Sequence, residues 1–333
     1  MTRAAVFGSG SWGTAYAAIL ADAGCEVTIW ARRAEVAAEI NETRCNSTYL
    51  PDLVLPSSVR ATAEPAEAGE DADICVLAVP SQTLRENLAA WGHEIEDDAS
   101  VVSLMKGIEL GTTKRMSEVI VDAGGVDPDR VAVVSGPNLA REIAAKQPAA
   151  AVVASTSSRT RARVAEASAT PYFRPYTNGD VVGVEIGGAV KNVIALAVGM
   201  AKGMGMGDNT MASLLTRGLA ETARFGIRLG ADPQTFLGLA GVGDLVATCA
   251  SPLSRNYTFG FKLGQGQTLE EVQATINQTA EGVKSCRSIL DLATSVGAEV
   301  PIVENVAAVV FEGRKPADVV ESLMSRTRKH EQH

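Results

Sequence analysis

The segment Gly8-Ser9-Gly10-Ser11-Trp12-Gly13 constrains this chain more than any other. It follows an apolar run, Arg3–Phe7, that reads as a strand. It opens an Ala-rich stretch, Gly13–Ala23, that reads as a helix closed by Gly24. Strand, three-glycine turn and helix in that order make the phosphate corner of a dinucleotide-binding fold. Gly8 makes the tight turn and Gly10 lets a pyrophosphate approach the backbone. Gly13 lets helix and strand pack closely, with the phosphates at the helix N-terminus. The bland alternative is a glycine-rich turn without a ligand, and the strand–turn–helix context argues against it.

The first half of the chain continues this alternation. Glu26–Trp30, Ile74–Val79, Ser100–Met105, Val131–Ser135 and Ala149–Ala154 read as strands. Ala34–Glu42, a segment capped by Ser81 and running to about Trp91, and segments near Lys114–Val121, Leu139–Ala145 and Arg159–Ser168 read as helices. Glu64–Asp73 reads as a solvated connection. After Asp180 the pattern becomes helical throughout: Val181–Lys202, Thr210–Leu229, Asp232–Leu239, Leu269–Gln273, Ser285–Val296 and Val303–Phe311. The expected fold is α/β: a Rossmann-like N-terminal domain with a parallel-rich sheet over residues 1–184, then an all-helical C-terminal domain over 185–333. With 333 residues, 46% of them hydrophobic, each part can bury a core. The charged tail Arg326–His333 is expected to fray.

Charge and cysteine usage narrow the partners. Net charge is −9 and pI about 5.0, with no Lys/Arg block, which argues against nucleic acid and anionic membrane surfaces. A small anion held by a few basic residues in one cleft remains open. Five cysteines without a CxxC fit reduced thiols in the cytosol. Val181–Met200 is the nearest approach to a membrane span. Glu185, Lys191 and Asn192 interrupt it, so it reads as a buried helix in a cytoplasmic protein without stable membrane association.

Roughly 20 residues beyond the glycine turn, an NAD site places an acid for the ribose hydroxyls. Here the second strand ends Trp30-Ala31-Arg32-Arg33, with no acid at its tip. Two arginines suit a 2′-phosphate, so NADP is expected to be preferred over NAD. The alternative is that Arg32 and Arg33 merely begin a solvated helix, with Glu35 close behind. Further along, Pro80, Lys106-Gly107 and Gly136-Pro137-Asn138 all fall at the carboxyl ends of strands, where open α/β sheets bind ligands. Lys106 alone is equally a solvated loop lysine.

Lys191-Asn192 lies within the apolar stretch Ile186–Val198, where a charge is costly unless partnered or catalytic. Gly187 and Gly188 stand one turn before it. Helical side chains lean over the preceding turn, so these glycines are expected to clear room for a small substrate beneath Lys191. The competing reading is close packing at the glycines and a lysine that snorkels to water. Asp244 and Thr248, four apart, share a helix face, and Asp244 after Gly241-Val242-Gly243 also reads as an N-cap. Ser254-Arg255-Asn256, placed in a loop after Pro252, offers donors for a phosphate, though such a triplet is common. His93, His330 and His333 fall in a surface-like segment and the tail, and no His/Cys cluster suggests a metal.

Together, Gly8–Thr14, Lys106-Gly107-Ile108-Glu109, Ser135-Gly136-Pro137, Glu185–Asn192, Leu239–Leu245, Ser254-Arg255-Asn256 and Glu281-Gly282 resemble, in this order, the bacterial-type NAD(P)-dependent glycerol-3-phosphate dehydrogenases. The resemblance implies interconversion of dihydroxyacetone phosphate and sn-glycerol 3-phosphate, supplying glycerol 3-phosphate for phospholipid synthesis, by a homodimer. It makes Lys191 the proton donor and acceptor, with Lys106, Asp244 and Thr248 in the catalytic group. It assigns substrate contacts to Lys106, Gly136, Asn138, Lys191, Asn192, Asp244, Ser254, Arg255 and Asn256. It assigns cofactor contacts to Gly8, Gly10, Ser11, Trp12, Gly13, Arg32, Arg33, Lys106, Ala140, Arg255 and Glu281. Bacterial relatives usually carry Ser or Thr where this chain has Asn138, which shifts affinity without removing a hydrogen-bonding group. The neighbourhood of Ala280 also departs from the pattern, which leaves Thr279 open as a contact.

On this reading burial and the nearby charge of Lys106 lower the Lys191 pKa, and Asp244 counters them. Two rivals stand beside it: another lysine-dependent dehydrogenase acting on a 3-hydroxy acid or a nucleotide sugar, and a non-catalytic NADP(H) sensor.

Overall fold

The central strands of the first half are apolar along nearly their whole length, as strands covered on both faces must be. In the computed structural model, which describes residues 1–275 and 280–324, they belong to one eight-stranded sheet. Its strands are β1 (Arg3–Phe7), β2 (Glu26–Trp30), β3 (Val59–Thr62), β4 (Ile74–Leu77), β5 (Ser100–Ser103), β6 (Val131–Ser135), β7 (Ala149–Ala154) and β8 (Phe173–Asn178). The spatial order is β3-β2-β1-β4-β5-β6-β7-β8, parallel at every pairing except the antiparallel β6–β7. The chain winds outward from β1 on both sides, so the crevice beyond the carboxyl ends of β1 and β4 is the switch point where such sheets bind ligands.

The connecting helices are α1 (Ser11–Asp22), α2 (Ala34–Thr43), α3 (Pro65–Gly69), α4 (Leu84–Trp91), α5 (Met116–Gly124), α6 (Ala140–Ala144) and α7 (Ser158–Ala167). Alternation along the strands sorts the core into two layers. Val6, Ile29 and Val76 join Tyr16, Ile19 and Leu20 of α1 on one face. Ala5, Phe7 and Leu77 join Leu84, Leu88 and Trp91 of α4 on the other, with Phe7 stacked on Trp91 at 4.2 Å between ring centroids.

Beyond β8 the described chain is helical: α8 (Val181–Gly203), α9 (Asp208–Arg228), α10 (Asp244–Ala250), α11 (Arg255–Gly264), α12 (Leu269–Thr275), α13 (Glu281–Ser295), α14 (Pro301–Glu312) and α15 (Pro316–Met324). α8 is long and apolar enough to cross a membrane, yet 83% of its apolar window is buried inside the protein, as a core helix requires. It crosses α11 at backbone distance. A Cβ on Gly199 would lie 2.2 Å from Tyr257 O, and one on Gly260 would lie 2.1 Å from Leu196 O.

The structure corrects several expectations. Glu64–Asp73 is not a simple solvated connection: it contains α3, and Ala68 and Ala72 are buried in the sheet core. Ser81 does not cap a helix. Residues Ser81–Thr83 form a 3-10 turn before α4, with no side-chain cap. β3 and β8 were not apparent from the sequence. β8 is an edge strand, mostly exposed and containing Pro175, so it lacks the apolar signal of the central strands. Ser254-Arg255-Asn256 is not a loop but the start of α11, with the Ser254 hydroxyl accepting from Tyr257 N. Asp244 is not an N-cap. It is the first residue of α10, Gly243 precedes it as the cap, and its carboxylate is turned to two lysines.

Candidate active site

The glycine turn departs from β1 at Gly8, whose φ of +128° suits glycine, and a Cβ there would lie 2.6 Å from Ala78 O at the end of β4. A Cβ on Gly13 would lie 2.2 Å from Gly8 O, so α1 could not sit this close to the turn with any larger residue. Gly10 is different: a Cβ there meets no protein atom within 4 Å. The turn is therefore tight against the sheet at Gly8 and Gly13 and open at Gly10, beside Ser11 at the start of α1, where backbone N–H groups have no helical partner. Trp12 packs its ring on Tyr16, and its buried Nε1 has no partner.

Two residues that the sequence did not single out hold the outside of this turn. Asn46 Nδ2 donates to Ser9 O at 2.9 Å and to Thr14 Oγ1 at 3.0 Å, and Ser11 Oγ donates to Tyr49 O at 3.4 Å. Nothing local in the sequence marks them, since the contacts span more than thirty residues. Arg32 and Arg33 follow β2 and are both exposed. The Arg33–Glu35 pair, at 3.8 Å between solvated groups, is too weak to commit the guanidinium. No acid stands at the tip of β2.

The charged centre lies between the domains. Lys106 arrives on the loop after β5, Lys191 from the middle of α8, and both meet Asp244. Lys106 Nζ donates to Asp244 Oδ2 at 2.5 Å and to Gly136 O at 3.0 Å. Lys191 Nζ donates to Asp244 Oδ1 at 2.7 Å and to Thr248 Oγ1 at 2.6 Å. Asp244 is 1% exposed. Burial pushes its carboxyl up, but the two ammonium groups outweigh this and hold it below the usual carboxylate range. Burial pushes the Lys106 ammonium down to about 8, with the charge of Lys191 acting in the same direction and Asp244 against it. Lys191 is buried and hydrogen-bonded, so it does not snorkel to water.

Asp244 is presented by a π-helical turn, Leu239–Gly243, a geometry that recurs at functional sites. This turn occupies the space that Gly187 leaves: a Cβ on Gly187 would lie 2.4 Å from Ala240 O. A Cβ on Gly188 would lie 2.9 Å from Ser135 Oγ and 3.4 Å from Lys106 Cγ. The expectation that the two glycines clear space for substrate is thus corrected. Gly187 admits the turn carrying Asp244, and Gly188 admits Ser135 and the stem of Lys106.

A second polar cluster continues along α8. Asn256 Nδ2 donates to Asn192 Oδ1 at 2.9 Å, and Asn256 Oδ1 accepts from Gly282 N at 3.0 Å. These bonds join α8, α11 and the start of α13. Arg255 is exposed and Ser254 is buried. Glu281, also at the start of α13, is pushed up by burial and pulled down by the charges of Arg255, Lys191, Lys106 and Lys284, which places it within electrostatic reach of the lysine pair. Asn138 and Ala140 lie beyond β6. Both side-chain polar atoms of Asn138 are buried without a partner, as is Ser135 Oγ. Thr279 lies outside the described residues.

The site fits a dinucleotide and a small polar substrate on these observations. Buried polar atoms are normally paired, and those of Trp12, Ser135 and Asn138 are not, while the turn is open only at Gly10. The structure brings Lys106, Gly136, Lys191, Asp244 and Thr248 into direct contact, and Asn192, Asn256 and Gly282 into a second contact group. It makes no such contact from Arg32 or Arg33 to either.

Two family models match the chain: the NAD-dependent glycerol-3-phosphate dehydrogenase N-terminus over residues 3–161 and its C-terminus over residues 180–321. The chain belongs to this family. It is 64% identical over 329 residues to the glycerol-3-phosphate dehydrogenase [NAD(P)+] of Streptomyces griseus, covering 99% of this chain and 98% of that protein. The glycerol-3-phosphate dehydrogenase of Coxiella burnetii superposes with a TM-score of 0.93 at 34% identity, covering 98% of this chain and 99% of that one. The enzyme from Saccharomyces cerevisiae superposes at 0.83 with 26% identity, covering 96% and 98%. The glycerol-3-phosphate dehydrogenase fold therefore spans both the glycine turn and the lysine pair in this chain.

Proposed function

We propose that this chain is a glycerol-3-phosphate dehydrogenase that interconverts dihydroxyacetone phosphate and sn-glycerol 3-phosphate with NAD(P)H, feeding glycerol 3-phosphate to phospholipid synthesis. The observation that carries the reading is one buried carboxylate, Asp244, shared by Lys106 and Lys191, in a chain that also carries the glycine turn of a dinucleotide fold. The nicotinamide, when bound, supplies the hydride that reduces the C2 carbonyl. Lys191 then gives a proton to the C2 oxygen and takes it back in oxidation. Asp244 and Thr248 hold its ammonium at a fixed place and orientation, so the proton is delivered without reorganising solvent.

Lys106, held to Asp244 and Gly136 O, adds positive charge where the alkoxide develops. Ser254, Arg255 and Asn256 at the start of α11 bind the phosphate, with Asn192, and remote binding energy becomes orientation of C2. Gly8, Gly10, Ser11, Trp12 and Gly13 receive the pyrophosphate, with Ala140, Arg255 and Glu281 completing the cofactor site. Arg32 and Arg33, in place of an acid at the tip of β2, favour NADP over NAD. Asn138 supplies an amide where relatives usually carry a hydroxyl. The division between a cofactor domain and a substrate domain is placed at 184/185, within the first turn of α8, after the last sheet strand. A cytoplasmic homodimer completes the reading.

The test is loss of nicotinamide absorbance with purified protein, dihydroxyacetone phosphate, and NADPH or NADH in parallel, with unphosphorylated dihydroxyacetone as the comparison. Oxidation that requires the phosphate is expected, faster with NADPH. Measurable NADPH binding without any oxidation would overturn the reading.

A further inference from the structure

Lys106 is positioned by more than its ammonium. Its loop leaves β5 and folds into a hairpin from Ile108 to Arg115, bridged at those two residues and closed by Glu109 N donating to Lys114 O at 2.9 Å. Gly107 threads between the sheet domain and α13, where a Cβ would lie 2.6 Å from Ser81 Oγ and 3.0 Å from Ser285 Oγ. The Ile108 side chain is fully buried among the residues of the helical core, although its backbone belongs to the sheet domain. At the far end of the hairpin, Arg115 and Ser117 bind the buried Glu185 of α8, with Arg115 Nη1 donating to Glu185 Oε2 at 2.7 Å. The hairpin is a strut between the two elements that carry Lys106 and Lys191.

One side chain of the sheet domain grips this strut along its backbone. Gln82 Nε2 donates to Ile108 O at 2.8 Å, and Gln82 Oε1 accepts from Leu110 N at 2.9 Å. A single amide thus pairs with the strand as a neighbouring strand would. Ser288 Oγ of α13 also lies 2.8 Å from Ile108 O, but it is 3.0 Å from Ser285 O as well. A hydroxyl has one hydrogen and cannot serve both carbonyls at once. Gln82 is the donor that keeps Ile108 O satisfied whichever way that hydroxyl turns. Three residues after Gln82, Arg85 binds the carboxylate of the intervening Glu109 through two bonds of 2.9 Å, so the grip covers three consecutive residues.

We propose that Gln82 is a positioning residue for Lys106: its amide sets the hairpin so that the lysine ammonium reaches both Asp244 and the Gly136 carbonyl. Gln82 acts through the backbone of the loop. Without it, Ile108 O is left to a Ser288 hydroxyl that Ser285 O also claims, and the more exposed Leu110 N–H turns to water, so nothing holds the hairpin in this register. A displacement of about 1 Å in a positioned group is enough to cost on the order of 10²-fold in rate. A looser Lys106 is also less buried, and burial is what pushes its ammonium down to about 8.

This rests on the proposed role of Lys106 in substrate binding, so the test carries both variants. Gln82→Met keeps length and volume and removes both hydrogen bonds. KM and kcat for dihydroxyacetone phosphate are measured across the alkaline pH range for the wild type, Gln82→Met and Lys106→Ala, together with Tm. The expected result for Gln82→Met is a KM raised about tenfold, a loss worth about 1.4 kcal/mol of substrate binding, with kcat changing less. The alkaline limb of kcat/KM moves as well, because the burial that lowers the Lys106 ammonium and the Asp244 contact that raises it both depend on where the hairpin sits. A lowered Tm with KM and the alkaline limb unmoved would show a purely structural glutamine and overturn the proposal. An unchanged KM in Lys106→Ala would overturn it as well, and would take the substrate role of Lys106 with it. A raised KM in Lys106→Ala beside a wild-type KM in Gln82→Met would overturn the positioning role alone.

Discussion

Two glycine clusters lead into the site, and they do opposite things with the space that glycine leaves. In the turn before α1, Gly8 and Gly13 are pressed against Ala78 O and against each other, while Gly10 faces no protein atom within 4 Å. In α8, both Gly187 and Gly188 are filled by protein, the first by the backbone of Ala240 and the second by Ser135 and Lys106. One cluster keeps a face open for a ligand. The other lets three chain segments converge so that two lysines can share one carboxylate. A glycine beside a functional residue therefore identifies a close approach without identifying what approaches.

The largest test of this contrast separates the two clusters by function. Lys191→Ala removes the group that the α8 glycines help to seat. Turnover is expected to fall by about 10²–10⁴-fold, while NADPH affinity, set at the glycine turn, stays near wild type. Fluorescence titration of NADPH beside steady-state turnover reads both. Near-wild-type turnover would mean that the convergence on Asp244 serves stability alone.

The contrast is sharpened by adding one methyl group to each cluster. Gly187→Ala drives a Cβ into Ala240 O, and stability is expected to fall by about 1–3 kcal/mol by overpacking, seen in the denaturant midpoint. Gly10→Ala meets no protein atom, and the backbone at Gly10, with φ of −69°, suits alanine. Its stability is expected to stay within about 0.5 kcal/mol while NADPH binding weakens about tenfold, or about 1.4 kcal/mol. Equal NADPH affinity in Gly10→Ala and wild type would break the distinction between an open and a filled glycine.

The smallest expected effect lies at the rim of the cofactor site. The double substitution Arg32→Ala/Arg33→Ala removes two exposed guanidinium groups. It should raise the Kd for NADPH several-fold, roughly the 1 kcal/mol scale of exposed charge pairs, with little change for NADH. The NADPH penalty should shrink as salt is raised, since these groups are solvated. Equal losses for both cofactors would remove the 2′-phosphate from the account.

How much of this was legible depended on where each signal resides. The central strands β1, β2, β4, β5, β6 and β7 were visible because burial on both faces demands continuous apolar runs. β8 was not, because an edge strand with Pro175 and exposed polar residues carries no such run. Lys191 stood out as a charge inside an apolar helix. Asn46 and Gln82 did not, because each acts through backbone atoms far along the chain and neither needs a distinctive neighbourhood of its own. α11 was hidden for a related reason: Pro252 and the polar triplet read as a loop until Ser254 is seen to cap the helix that follows.

What the sequence determined alone is local: the strand–turn–helix of the glycine corner, the alternation that makes a covered sheet, the switch to helices, and the residue types that chemistry would need. These follow from periodicity and backbone preference within a few residues. The tertiary structure decided which of those residues meet. Lys106 and Lys191 are each expected near a ligand from their own segments. That they share the two oxygens of Asp244, 138 and 53 residues away, follows only from the packing of the loop after β5, α8 and the turn before α10. Such contacts are set by how elements pack against one another, where atoms compete for the same volume, and local periodicity carries no record of that competition.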